Sequence, residues 1–164
     1  MKTPEAGTTA PGPTNARARF LPLSIADYDE VIALWRACEG IGLSDADERE
    51  RIAAYLARNP GMSFVARVDG VLAGAVLCGH DGRRGYLHHL AVDARFRRLG
   101  LGRQLTERCL AALTAAGIRK CHLFVLEGNR DGLAYWQTVG WTRRTGIAIH
   151  SIELDGASGD ACPC

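Results

Sequence analysis

A short stretch of this chain brings together residues that could hold an anion and residues that could move a proton. His88-His89-Leu90-Ala91-Val92 runs through Asp93 and Ala94 into Arg95-Phe96-Arg97-Arg98-Leu99-Gly100-Leu101-Gly102-Arg103. Imidazoles titrate near neutrality, so a histidine late in a strand can accept a proton at physiological pH. An apolar pattern at Leu105, Cys109, Leu110 and Leu113 announces a helix after the glycines. A strand feeding a helix through such a turn aims the helix's first free N–H groups at whatever sits above it, and glycines let an anion approach the backbone closely. Arg95, Arg97, Arg98 and Arg103 surround the turn, so its natural ligand is a phosphate or pyrophosphate.

Spacing separates the glycine turns that compete for this stretch. A P-loop needs Gly-Lys-Ser/Thr after four intervening residues, and no such string exists here. A dinucleotide fingerprint needs a third Gly or Ala where Leu105 stands, although Glu127 lies near the distance of its acidic residue. The third form is Arg97-x-x-Gly100-x-Gly102 after a strand ending Leu90-Ala91-Val92. Two incidental glycines in a basic turn are the plain alternative.

These residues must be positioned by one domain. The chain has 164 residues, 47% of them hydrophobic and 23% charged, enough for a sizeable core. A net charge of +2 gives no argument for a nucleic-acid partner, and the longest apolar run, Val71 to Cys78, is far shorter than the roughly 20 residues of a membrane span. Residues 1–16 read as a disordered tail without a signal peptide, 17–155 as the domain and 156–164 as a flexible tail, in a cytoplasmic protein. Four of the six cysteines sit in apolar helix or strand patterns and read as free thiols, and Cys162 and Cys164 offer only half of a structural zinc site, so no metal is expected.

Arg19 to Ile25 reads as a strand, followed by a helix capped by Asp27 and carrying Ile32, Leu34 and Trp35. After the Gly40-Ile41-Gly42-Leu43 elbow, Ser44-Asp45-Ala46-Asp47 begins a second helix that Asn59-Pro60-Gly61 closes. Ser63 to Val68 and Val71 to Gly79 form a hairpin through Asp69-Gly70, and Tyr86 to Val92 is the next strand. The helix after Gly102 ends at Ala116-Gly117, Ile118 to Leu126 reads as a strand, Asp131 to Val139 as a helix, and Trp141 to Leu154 as one or two closing strands. The order implies an α/β mixed sheet covered by helices on both faces.

Together with Asn129, Gly132, Tyr135-Trp136 and Gly140-Trp141, the glycine turn resembles the two signatures of the GNAT N-acetyltransferase superfamily. The resemblance implies the GNAT fold, a mostly antiparallel sheet of six to seven strands, and acetyl-CoA as cofactor. Leu90, Ala91 and Val92 would pair with the pantetheine arm like an added strand. Arg97, Arg98, Leu99, Gly100, Leu101, Gly102 and Arg103 would wrap the pyrophosphate, Asn129 would bond the pantetheine, and Trp136 would line the cofactor.

The implied reaction is direct attack of a primary amine on the thioester. At pH 7 only about one lysine-like amine in 2,500 is neutral, a cost of about 4.6 kcal/mol, so a general base has work to do. His88 is the expected base, with Tyr86 on the same strand face; alternation would turn Leu87 and His89 to the other face, so that only one histidine faces the cleft, barring a bulge. Glu39, beside the elbow, is the second candidate base or a binder of the substrate ammonium. Many members have a tyrosine acid where this chain has Trp136, and indole cannot donate a proton at neutral pH, while Tyr135 would face the sheet or core. A thiolate leaves at a penalty of only about 2 kcal/mol, so water could protonate it.

The acceptor would be a small-molecule amine or a protein amine, met by the elbow and the His80 to Arg84 turn, where Arg83 and Arg84 suit an acidic molecule. A homodimer is a possible assembly. Two rivals stand beside this expectation: an acyl-CoA sensor that lost turnover, which Trp136 favours, and a nicotinamide-dependent oxidoreductase, which Leu105 weakens.

Overall fold

The computed structural model describes residues 18–154. Both tails, and Cys162 and Cys164, lie outside them. Five strands form one sheet in sequence order: β1 (Ala18–Pro22), β2 (Phe64–Val68), β3 (Val71–His80), β4 (Gly85–Val92) and β5 (Cys121–Leu123). The first three pairings are antiparallel and β4 pairs with β5 in parallel. That parallel pair needs a crossover, which the helix α3 (Leu101–Ala115) supplies.

Local chemistry explains the meander. Asp69 and Gly70 have φ of 50° and 84°, the left-handed pair that a two-residue turn requires, and Val68 opposes Val71 directly. β3 is apolar along most of its length because both faces are covered. On one face α1 (Tyr28–Ala37) and α2 (Arg49–Arg58) bury Val31, Trp35 and Ile52 against Val65, Leu72, Ala75 and Leu77. On the other, α3 sets Leu105, Cys109 and Leu113 against Ala66, Val76, Cys78 and Leu87. The last helix, α4 (Arg130–Thr138), begins at Asn129, whose Oδ1 accepts the Gly132 N–H at 2.8 Å.

The sheet therefore has five strands, not six to seven. Expected strand residues Ile118 to Leu126 shrink to three, and Trp141 to Leu154 forms no strand. Alternating apolar residues alone do not make a strand when nothing covers them: Ile147, Ile149, Ile152 and Leu154 are 64–85% exposed. The first strand is shorter than expected because Ile25 opens a 3-10 turn capped by Ser24. Asp45–Asp47, capped by Ser44, is likewise a separate 3-10 turn, and extended Glu48 (ψ 152°) separates it from α2. Cys38, Cys78, Cys109 and Cys121 are free thiols.

Leu105 is fully buried where α3 meets β3, so Leu105→Ala is expected to cost about 2–5 kcal/mol in urea unfolding, with an unchanged m-value.

Candidate active site

A β-bulge at His89 organises the site. Leu77 opposes His88, yet Ala75 opposes Ala91, so β4 carries one residue more than β3 across this interval. His89 absorbs it with φ of 52°, a left-handed conformation that a non-glycine residue adopts at a cost of about 1–2 kcal/mol. Before the bulge Tyr86 and His88 share one face while Leu87 packs under α3; after it Leu90 turns toward α3 and Ala91 toward α1.

The bulge overturns the expectation that only one histidine faces the cleft. His89 joins His88 on the α1 and α2 side, its ring 4.9 Å from Trp35 and its Nε2 2.7 Å from Asp47 Oδ1. His88 has no hydrogen-bond partner among the described residues; its ring stacks near Tyr86 at 6.3 Å and meets the edge of Tyr55 at 6.2 Å. Burial, helped by the His89 imidazole, pulls the His88 pKa below its ordinary 6.5 even though Asp47 opposes the shift. Its free base is therefore the resting form at neutral pH. His122 on β5 extends the aromatic row, 6.0 Å from Tyr86.

Beyond the bulge β4 has an open edge. Its ladder with β5 stops at Leu87 opposite Leu123, leaving His88 to Val92 unpaired on that side. The Asp93 N–H bonds the Ala73 carbonyl, so by alternation Leu90 and Val92 turn their peptide groups to the open edge. The Val92 carbonyl there already accepts from Arg97 Nε at 3.4 Å and from the Cys38 thiol at 4.0 Å.

The open edge leads to the glycine turn. Gly100 is the N-cap of α3, with φ of 75°, and Arg98 is left-handed at 64°. None of the N–H groups from Arg98 to Arg103 donates to a protein acceptor among the described residues. Six successive amides at the positive end of a 15-residue helix fit a pyrophosphate. The arginines contribute less than their number suggests, since Arg95 is paired with Asp93 and Arg103 with Glu107, while Arg97 and Arg98 are exposed.

The remaining expected residues take distinct places. Asn129 caps α4 and its amide packs on Gly40, where a Cβ would collide with it; Gly132 is small for the same reason. Those contacts bring the elbow after α1 against the start of α4. Glu39 is exposed there without a partner among the described residues. Trp136 is half-buried beside Trp141, ring centroids 5.1 Å apart. The Tyr135 hydroxyl lies against Gly102 and the first turn of α3, buried and unpartnered. The His80 to Arg84 turn sits at the far end of β4, with Asp81 accepting the Arg83 and Arg84 N–H groups at 2.7 Å each.

Sequence reading missed Asp47. A charged loop residue is solvated by default, but the Ser44-x-x-Asp47 spacing is a capping-box pattern that could have marked an ordered turn.

The profile of the acetyltransferase (GNAT) family matches residues 28–141, from the start of α1 through α4. An acetyltransferase of Yersinia pestis is 34% identical over 123 residues, 75% of this chain and 86% of that protein. Among solved structures, the PaiA N-acetyltransferase of Thermoplasma acidophilum in complex with coenzyme A superposes with a TM-score of 0.68 at 18% identity, covering 77% of this chain and 90% of that one. An aminoglycoside acetyltransferase from an uncultured soil sample, in complex with sisomicin, gives 0.64 at 17% identity over 84% and 97%. The chain belongs to the acetyltransferase (GNAT) family and is an acyl-CoA-dependent N-acetyltransferase.

Proposed function

We propose that this chain transfers an acetyl group from acetyl-CoA to a primary amine, with His88 as the general base. The single observation that carries the cofactor part is the run of unpaired amides from Arg98 to Arg103 at the mouth of an unpaired strand edge. Acetyl-CoA supplies an activated thioester when bound. Amides 98–103 would hold its pyrophosphate, with Arg97 and Arg98 adding exposed positive charge, and the open edge at Leu90 to Val92 would accept the pantetheine arm. Asn129 Oδ1 is engaged in the α4 cap, so only its amide nitrogen is left as a donor to that arm, and Trp136 would contribute an apolar wall.

His88 accepts the amine proton through a ring nitrogen that no other side chain holds. Burial keeps it unprotonated, and Tyr86 orients the ring by stacking. Glu39, exposed at the elbow, would attract the acceptor's ammonium rather than take its proton. The acceptor is a small-molecule or protein amine; similarity to an aminoglycoside acetyltransferase supports a polyamine-like molecule among the first to try. Free thiols and acetyl-CoA use favour a cytoplasmic location.

A second reading, an acyl-CoA sensor, is favoured by Trp136 at the position of the tyrosine acid. Release of free CoA thiol over a panel of amines separates the two, and tight CoA binding with no turnover on any amine selects the sensor.

His88→Ala is expected to lower kcat by at least about a hundredfold, with the Kd for CoA by calorimetry within twofold. In the unaltered enzyme kcat is expected to fall through an acid limb displaced below the ordinary imidazole range, as His88 becomes protonated, and His88→Ala removes that limb; full activity in His88→Ala rejects the base assignment. Gly100→Glu places a carboxylate in the cradle at a left-handed position and is expected to weaken CoA binding by at least about a hundredfold with the circular dichroism spectrum retained. Tighter binding of NAD than of CoA would end the acyl-transfer proposal.

A further inference from the structure

We infer that Asp47 and His89 form a latch that fixes the loop between α1 and α2 to the bulge of β4, and so positions the acceptor side of the cleft. The inference deepens the acyl-transfer proposal and rests on it for what the cleft accepts. The two residues are 42 positions apart, yet Asp47 Oδ1 and His89 Nε2 meet at 2.7 Å. Asp47 is only 7% exposed. Its Oδ2 accepts the Ser44 N–H at 2.9 Å and its backbone carbonyl accepts the Tyr28 hydroxyl at 2.9 Å. Burial alone would raise the carboxyl's pKa; the His89 and Ser44 hydrogen bonds outweigh it and hold the carboxyl below its usual range.

Geometry makes this a positioning pair and not the proton acceptor. His89 presents Nε2 to Asp47 and lays its ring on Trp35, which is fully buried, whereas His88 keeps its ring free. The loop is tied at both ends of the cleft: Cys38 and Gly40 meet Val92 and Asn129, and Asp47 meets His89. Residues 41–46 run between these ties, with Ile41 and Leu43 packed on the core and Ser44 held by the Asp47 carboxylate. Releasing the Asp47 end frees that span from the strand carrying the base.

The test pairs hydrogen exchange with kinetics. In Asp47→Ala the amides of residues 44–47 are expected to exchange at least about tenfold faster, while residues 97–105 exchange as before and the Kd for CoA stays within twofold. The KM for the faster of two probe amines, spermidine and sisomicin, is expected to rise about tenfold, with the KM for acetyl-CoA unchanged. Asp47→Asn can accept the Ser44 N–H through its oxygen while its amide N–H donates to Nε2 of a neutral His89, and is expected to restore most of the protection and the amine KM. His89→Asn, whose side chain tolerates the left-handed backbone but is too short to reach, is expected to behave as Asp47→Ala and serves if that variant does not fold.

Unchanged exchange at 44–47 in His89→Asn overturns the latch, whether or not any amine is acetylated, because Asp47→Ala also removes the Ser44 cap. Faster exchange with an unchanged amine KM, or an equal loss of CoA affinity, overturns the positioning role. A wild-type chain that releases no thiol with any amine fails the acyl-transfer proposal instead, and the exchange measurement still decides the latch.

Discussion

One backbone conformation, the left-handed φ of His89, sets the phase of everything that follows it on β4. A strand alternates its side chains strictly, so one inserted residue exchanges the faces from that point on. Without it, Leu90 would leave the α3 layer and Ala91 would leave the small space under α1. The strain of about 1–2 kcal/mol is offset locally by the Asp47 hydrogen bond and by packing on Trp35. Function and fold thus share a residue: the kink that lets both layers pack also turns two imidazoles to one side.

The two ends of the open edge differ in electrostatic character. Near Val92 the available groups are peptide amides and a helix terminus, fixed partial charges that need no side chain to hold them. Arg95 and Arg103 are already neutralised by Asp93 and Glu107, so the turn attracts anions mainly through its backbone. Toward the bulge the groups are aromatic and imidazole rings in a half-buried row. Desolvation there holds His88 neutral, the protonation state a base needs.

Most of the fold was legible in the sequence where a residue type has one structural use. Asp69-Gly70 has a single good turn, and Leu105, Cys109 and Leu113 keep a helical period that only α3 satisfies. The glycine turn was legible because Gly100 occupies a left-handed N-cap and Gly102 closely approaches Tyr135. What failed depended on partners far away in the chain. The bulge arises from mismatched register with β3, which no local pattern in His88-His89 announces, and the burial of Asp47 depends on a histidine 42 residues on. The closing strands failed in the opposite sense: Ile147 and Ile149 have the right alternation but no covering layer. Tyr135 was expected to face inward and does so, although against the first turn of α3 and not the sheet.

The brevity of the β4–β5 ladder has a kinetic meaning. Only Gly85 to Leu87 are zipped to Cys121 to Leu123, so the wedge beyond them stands open in the folded chain. An extended guest entering it meets peptide groups that have no native strand to expel. Its arrival is limited by encounter and desolvation instead of by unzipping, and its departure is governed by the hydrogen bonds it makes along one edge.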